Sequence, residues 1–191
     1  MKARFQRLAG LAAVAITVAL LSSMAVAATA SSNVANVQLN ATLQESLTVT
    51  VSAGTTINFT LAPNTTSNPG GATSTVTTAW VLKPGRSQVA VWAYFSSATA
   101  LTSTTGGTAT IPSSAVGVQM NGVGSFTACT AVSPFNAASS GVLIGTTAVS
   151  NSNTNSNRTD TLAYNIDTTV VPQLPADSYA GVLNIQAQAT P

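Results

Sequence analysis

From Val37 onward, apolar side chains recur at every second position: Val37, Leu39, Ala41 and Leu43, then Leu47, Val49 and Val51. The residues between them are mainly Gln, Asn and Thr. A period of two marks a strand with one buried face, because successive side chains of an extended backbone point to opposite sides. Beyond residue 27 nothing reads as a helix, since Gly, Pro, Asn and Thr are too frequent. The chain is therefore expected to be all-β. Glu45 interrupts the series on the inward parity, where an unpaired carboxylate is costly. A bulge or a change of sheet at that point would turn it outward. The parity resumes at Ile57, Phe59 and Leu61, after Ser52-Ala53-Gly54.

Turn signals divide the rest of the chain. Pro63 to Gly71 is a loop. Thr75–Leu82 and Ser87–Phe95 flank Lys83-Pro84-Gly85-Arg86, a Pro-Gly turn. A tight hairpin there would set Trp80 opposite Val89, Thr78 opposite Val91 and Val76 opposite Ala93. Its core face would carry Val76, Trp80, Leu82, Val89, Val91, Ala93 and Phe95, with Trp92 and Tyr94 on the other side. Thr102 to Thr110 is a Gly/Thr loop. Asn121-Gly122 joins Val116–Met120 to Val123–Cys129 and is the strongest short hairpin signal in the chain. Val142–Val149 and Thr161–Ile166 are further strands, separated by the polar low-complexity loop Asn151–Arg158. A last strand holds Tyr179, Leu183, Ile185, Ala187 and Ala189 on one parity. Eight or nine short strands so punctuated predict an antiparallel sandwich.

The first residues have a different character. Lys2, Arg4 and Arg7 precede an apolar run from Leu8 to Leu21, and Ala25-Val26-Ala27 ends it, with Ala28-Thr29-Ala30 as a second register. That order is a Sec-type signal peptide. An uncleaved anchor needs about 20 apolar residues, which the run approaches, but the small-residue exit and Ser22-Ser23 favour cleavage. A type IV prepilin would be cut at Gly10 and usually carries Glu five residues later, where Ala15 stands. Residues 1–27 are thus expected to be removed. Residues 28–44 then form an N-terminal extension or first strand, and 45–191 the sandwich. The expected destination is secreted, at the cell surface or outside it, or in a periplasm, with no membrane attachment after cleavage.

Without the leader the chain has seven charged side chains: Glu45, Lys83, Arg86, Arg158, Asp160, Asp167 and Asp177. Loss of Lys2, Arg4 and Arg7 turns the net charge from +2 to −1. Nucleic-acid binding needs a basic cluster to meet phosphates and is excluded. Acid–base catalysis, nucleophile activation and metal ligation draw mainly on His, Asp, Glu, Lys and Cys. There is no His and one Cys, so no catalytic residue, cofactor or metal site is assigned. Asp160 and Asp167 flank Thr161–Ile166 and would lie roughly 20 Å apart along a strand, too far for a glycosidase pair. Asn151, Asn153, Asn155, Asn157 and Asp160 imitate a calcium loop, but Ser156 and Leu162 stand where glycine and glutamate belong. Gly122-Val123-Gly124 lacks the later glycine of a dinucleotide fingerprint. Sequons at Asn40, Asn58, Asn64 and Asn157 are expected by chance in a chain so rich in Asn and Thr. Cys129 is alone and reads as a buried apolar side chain, or else as half of an intermolecular disulfide.

Trp92 and Tyr94, at i and i+2 on the face away from the predicted core, form a candidate ligand or assembly face, with Trp80 as a third member. Two such rings on a sheet can stack on sugars. A central strand covered on both faces is the plainer expectation.

Leu174-Pro175-Ala176-Asp177-Ser178-Tyr179-Ala180-Gly181-Val182-Leu183 resembles the Pro-Ala-Gly-x-Tyr-x-Gly lead-in to the final strand of secreted bacterial Ig-like domains, among them spore coat U-type and chaperone–usher pilin subunits. Leu47 to Leu61 resembles the early strands of such pilins. Asp177 replaces the usual glycine, and Cys129 lacks the usual partner. The resemblance implies an Ig-like sandwich completed by a neighbour's strand, with Val37, Leu39, Ala41 and Leu43 as a candidate donor strand. The expected function is a non-enzymatic surface or filament subunit that self-associates, or associates with related subunits, by β-strand addition. The alternative is a carbohydrate- or surface-binding module whose partner is a glycan.

Overall fold

The computed structural model describes residues 30–129 and 141–191; the expected signal peptide, residues 1–27, lies outside them. Residues 30–42 are exposed throughout and form no regular element. The candidate donor residues Val37, Leu39, Ala41 and Leu43 thus form no strand, although the alternation predicted one. Residues 43–191 make one compact unit, whose described residues are all-β apart from a single 3₁₀ turn at Ser113–Ala115.

Among the described residues eleven strands occur in chain order. They are β1 (Ser46–Ala53), β2 (Ser74–Val81), β3 (Gln88–Tyr94), β4 (Thr99–Ser103), β5 (Thr110–Pro112), β6 (Val116–Met120), β7 (Val123–Ala128), β8 (Val142–Ala148), β9 (Asn155–Ile166), β10 (Tyr179–Ala180) and β11 (Asn184–Thr190). A five-stranded sheet runs β1-β2-β9-β6-β7, a three-stranded sheet β11-β3-β8 faces it, and a small sheet β10-β4-β5 lies beside them. Every ladder is antiparallel. The inward parities of β2, β3 and β9 meet as the core, with Val76, Val91, Ala93, Val118, Leu162 and Ile166 at or near zero exposure.

The predicted core face of Val76, Trp80, Leu82, Val89, Val91, Ala93 and Phe95 is buried throughout. The predicted hairpin that carried it does not form. β2 is hydrogen-bonded to β1 and β9, and β3 to β11 and β8, so Lys83–Arg86 carries the chain from one layer to the other. Trp80 lies opposite Leu47 and Ser156 and meets Val89 across the layers, in a cluster with Leu82. A period of two says which face is buried, not which strand is the neighbour.

The Asn121-Gly122 hairpin forms as expected, with φ of 53° and 67° between the paired residues Met120 and Val123. A Cβ on Gly122 would meet nothing within 4 Å, so Gly122→Ala tests backbone conformation alone. It is expected to cost about 1–2 kcal/mol in urea unfolding, with an unchanged m-value.

Five further expectations are corrected. Asn155–Arg158 belongs to β9 and pairs with Val81 to Thr78, because Ser156, Arg158 and Asp160 continue the inward parity of Leu162 and Tyr164. The imitation calcium loop is thereby dismantled, and Asn153 spends its side chain on Ser150 N and the Ala148 carbonyl. Asp160 lies inside a strand, not at its end, and is 1% exposed. Glu45 is turned out by neither a bulge nor a sheet change, since β1 begins at Ser46. The last strand is broken: Tyr179–Ala180 pairs with β4, and β11 starts only at Asn184. At the break, Gly181 lies so close to the Ala100 carbonyl that no Cβ would fit. Ile57, Phe59 and Leu61 form no strand, and Phe59 makes one isolated bridge to Gly70.

Candidate functional site

β1 and β11 each end a sheet, so each has one ladder partner and one free edge. They pack against one another across the layers without hydrogen-bonding. Their inward side chains, Leu47, Val49 and Val51 on one and Ile185, Ala187 and Ala189 on the other, are only half-buried. The equivalent positions of β2 and β3 are sealed. The sandwich is open along this seam.

At the Val51 end the seam widens into a groove of ≈ 1030 Å³. One wall is Val51, Ile57, Phe59 and Leu61, and the other is Leu174, Tyr179, Leu183 and Ile185. The buried residues Phe95, Val116 and Ile166 reach its base. At the other end a smaller hollow of ≈ 350 Å³ is lined by Leu47, Leu82, Ala187 and Ala189. Glu45 and Arg86 also line it, joined through Arg86 Nε at 2.9 Å and Nη2 at 3.2 Å.

The seam has a polar lock at each end. Asp177 accepts hydrogen bonds from the hydroxyls of Ser103 and Thr105 and from the Ser178 backbone N–H, which ties the lead-in segment to the end of β4. The Ser103 hydroxyl, then that of Thr105, holds the Asp177 carboxyl below its ordinary value of 3.8. The Arg86 hydrogen bond does the same to Glu45, whose ordinary value is 4.5. A lowered folded-state value means that each lock contributes fully above the unfolded value and is lost as pH falls through the folded one. Stability is therefore expected to be flat above about pH 5 and to decline below about pH 4. Carboxyl NMR titration checks this: the Glu45 midpoint should rise in the Arg86→Ala variant, and the Asp177 midpoint in Ser103→Ala.

The remaining candidates fall elsewhere. Val37, Leu39 and Leu43 are 83%, 88% and 81% exposed. Trp92 and Tyr94 are half-buried on the outer face of β3. Trp80 does not join them. It is 2% exposed in the other sheet, and its Nε1 donates to the Asn153 carbonyl at 2.9 Å. Cys129 is fully buried, and burial pushes its thiol up to about 12. Among the described residues no three His, Cys, Asp or Glu side chains come together, and no helix is long and apolar enough to cross a membrane.

The sequence flagged the groove's walls, Leu174 apart, as residues of alternating strands. It carried no sign that they would be left facing an open seam, since half-buried and buried positions share one parity. The Pro-Ala lead-in was the available signal, because it sets Leu174 to Leu183 beside the first strand's end. No family model matches the chain, and no curated protein matches it in sequence.

Proposed function

We propose that the chain is an exported, non-enzymatic structural subunit of a cell surface or filament, assembled by β-strand addition. One observation carries the reading: an open apolar seam between two free strand edges occurs in a chain that also holds an exposed, alternating apolar segment. Seven residues, Val37 to Leu43, span about 23 Å when extended, close to the run of β1 along the seam. Laid there from a neighbouring copy, Val37, Leu39, Ala41 and Leu43 face the groove, and the backbone satisfies two unpaired edges at once. The polar residues between them stay in water. Covering that much apolar surface is worth about 25 cal/mol per Å². A non-catalytic reading is supported by Glu45, Arg86, Arg158, Asp160, Asp167 and Asp177, whose side chains are all engaged in structural bonds.

Removing residues 28–44 from the secreted chain is expected to leave a folded, soluble protein that no longer assembles. A synthetic peptide covering residues 34–45 should then bind it and raise its thermal midpoint. Negative-stain microscopy and sedimentation read the first result, and calorimetry the second. Filaments formed by the shortened chain would refute strand donation through this segment.

A further inference from the structure

The outer face of the three-stranded sheet is unlike the rest of the molecule. β3 is its middle strand and presents Gln88, Ala90, Trp92 and Tyr94 outward. The two rings, i and i+2 on one strand, stand about 6.6 Å apart along it. On β11, Asn184 lies opposite Tyr94, Gln186 opposite Trp92 and Gln188 opposite Ala90, a row of primary amides alongside the rings. The Tyr94 hydroxyl donates to Gln186 Oε1 at 2.9 Å, which orients the ring and leaves the amide N–H donors free to bond outward. On β8, the register shift beside Trp92 leaves Ile144 as the extra residue. Val142 and Ile144 both stay buried there, while Leu143, 39% exposed, lies opposite Trp92. Thr146 lies opposite Ala90. No outward position of the three strands carries a charge.

We propose that this face binds a flat, neutral, equatorially linked polysaccharide, with Trp92 and Tyr94 stacked on successive sugar rings and Gln186 and Gln188 bonded to their hydroxyls. Aromatic faces carry partial negative charge and attract the C–H groups that such sugars present above and below the ring. Amides, which both donate and accept, match hydroxyls that do the same. An ionic ligand would find no counter-charge here. Three strands make a surface about 10 Å wide with no enclosing walls, which suits an extended ribbon or a polysaccharide surface better than a free monosaccharide. This face is distinct from the seam, so its binding does not depend on strand donation.

The test uses the intact secreted protein with cellohexaose and chitohexaose in solution, and with insoluble cellulose and chitin. Saturable change in tryptophan emission with at least one oligosaccharide, and retention on the matching polymer, are expected. Trp92→Ala and Tyr94→Ala should each weaken binding about tenfold with the fold retained and only a small fall in thermal midpoint, since both side chains are half-buried and lie outside the core. Absence of any response from the unaltered protein at millimolar oligosaccharide overturns the proposal. Undiminished binding by the double variant does so too. Loss of self-assembly in the double variant without sugar binding by the parent would make the face a contact between copies, and equally refutes it.

Discussion

Replacing Asp160 by alanine is expected to cost about 3–5 kcal/mol of folding stability, the range for breaking one partner of a buried ion pair. Asp160 is 1% exposed and bonds Arg158 through both oxygens, Oδ2 to Nε at 2.7 Å and Oδ1 to Nη2 at 2.6 Å. Asn121 Nδ2 adds a third bond to Oδ1 at 3.1 Å. Arg158 then reaches from the five-stranded sheet to β8, where Nη1 donates to the Thr146 carbonyl at 2.8 Å and to Thr147 Oγ1 at 3.1 Å. Gly145 makes that reach feasible, because a Cβ there would collide with the guanidinium. Alanine at 160 strands a largely buried cation between the layers. Replacing both partners together, Arg158→Met with Asp160→Leu, should be near neutral or stabilising, because the cost of desolvating two charges also disappears. Urea titration of the two single variants and the double variant checks this, and additive losses would contradict it.

Trp80→Ala is expected to be comparably severe, about 3–5 kcal/mol. Its ring joins Leu47, Leu82 and Val89 at the end of the sandwich away from the large groove, so alanine removes the largest side chain there and leaves a cavity that strands on both sides hold open. Trp80→Phe separates the two contributions. It retains most of the apolar volume and leaves the Asn153 carbonyl without its donor, a loss of about 1 kcal/mol. Thermal unfolding should therefore place the parent highest, Trp80→Phe next and Trp80→Ala lowest. A Trp80→Ala protein with wild-type stability would mean that the ring is not buried.

The fold was legible wherever burial alone decides residue type. Val76, Val89, Val91, Ala93 and Leu162 alternate because one of their faces is dry, and the structure places each inside. The Asn121-Gly122 turn was equally legible, because positive φ at two successive residues restricts chemistry severely. Strand neighbours were not. Trp80 has the same inward pattern whether it pairs with Val89 or with Leu47, and Lys83–Arg86 looks the same as a hairpin or as a crossing between layers. Asn155 to Asp160 hid because its inward polar residues are sustained by an ion pair whose second anchor, on β8, lies on a separate strand. β4, β5 and β10 are too short to show a period. Of the candidate site, the apolar walls were visible as residues but not as an opening, which arises from where two sheets fail to meet.

Among the described residues the charges are used almost entirely within the chain. Arg86 is matched to Glu45 and Arg158 to Asp160, while Asp167 and Asp177 are occupied by neighbouring hydroxyls and backbone N–H groups. Apart from a few apolar side chains, what the described residues show to their surroundings is a skin of hydroxyls and amides with almost no long-range field. Copies of it approach one another without electrostatic repulsion and without steering, so dissolved ions have little to shield. Encounters are decided at contact distance, by shape and by the hydrogen bonds that exposed edges leave open.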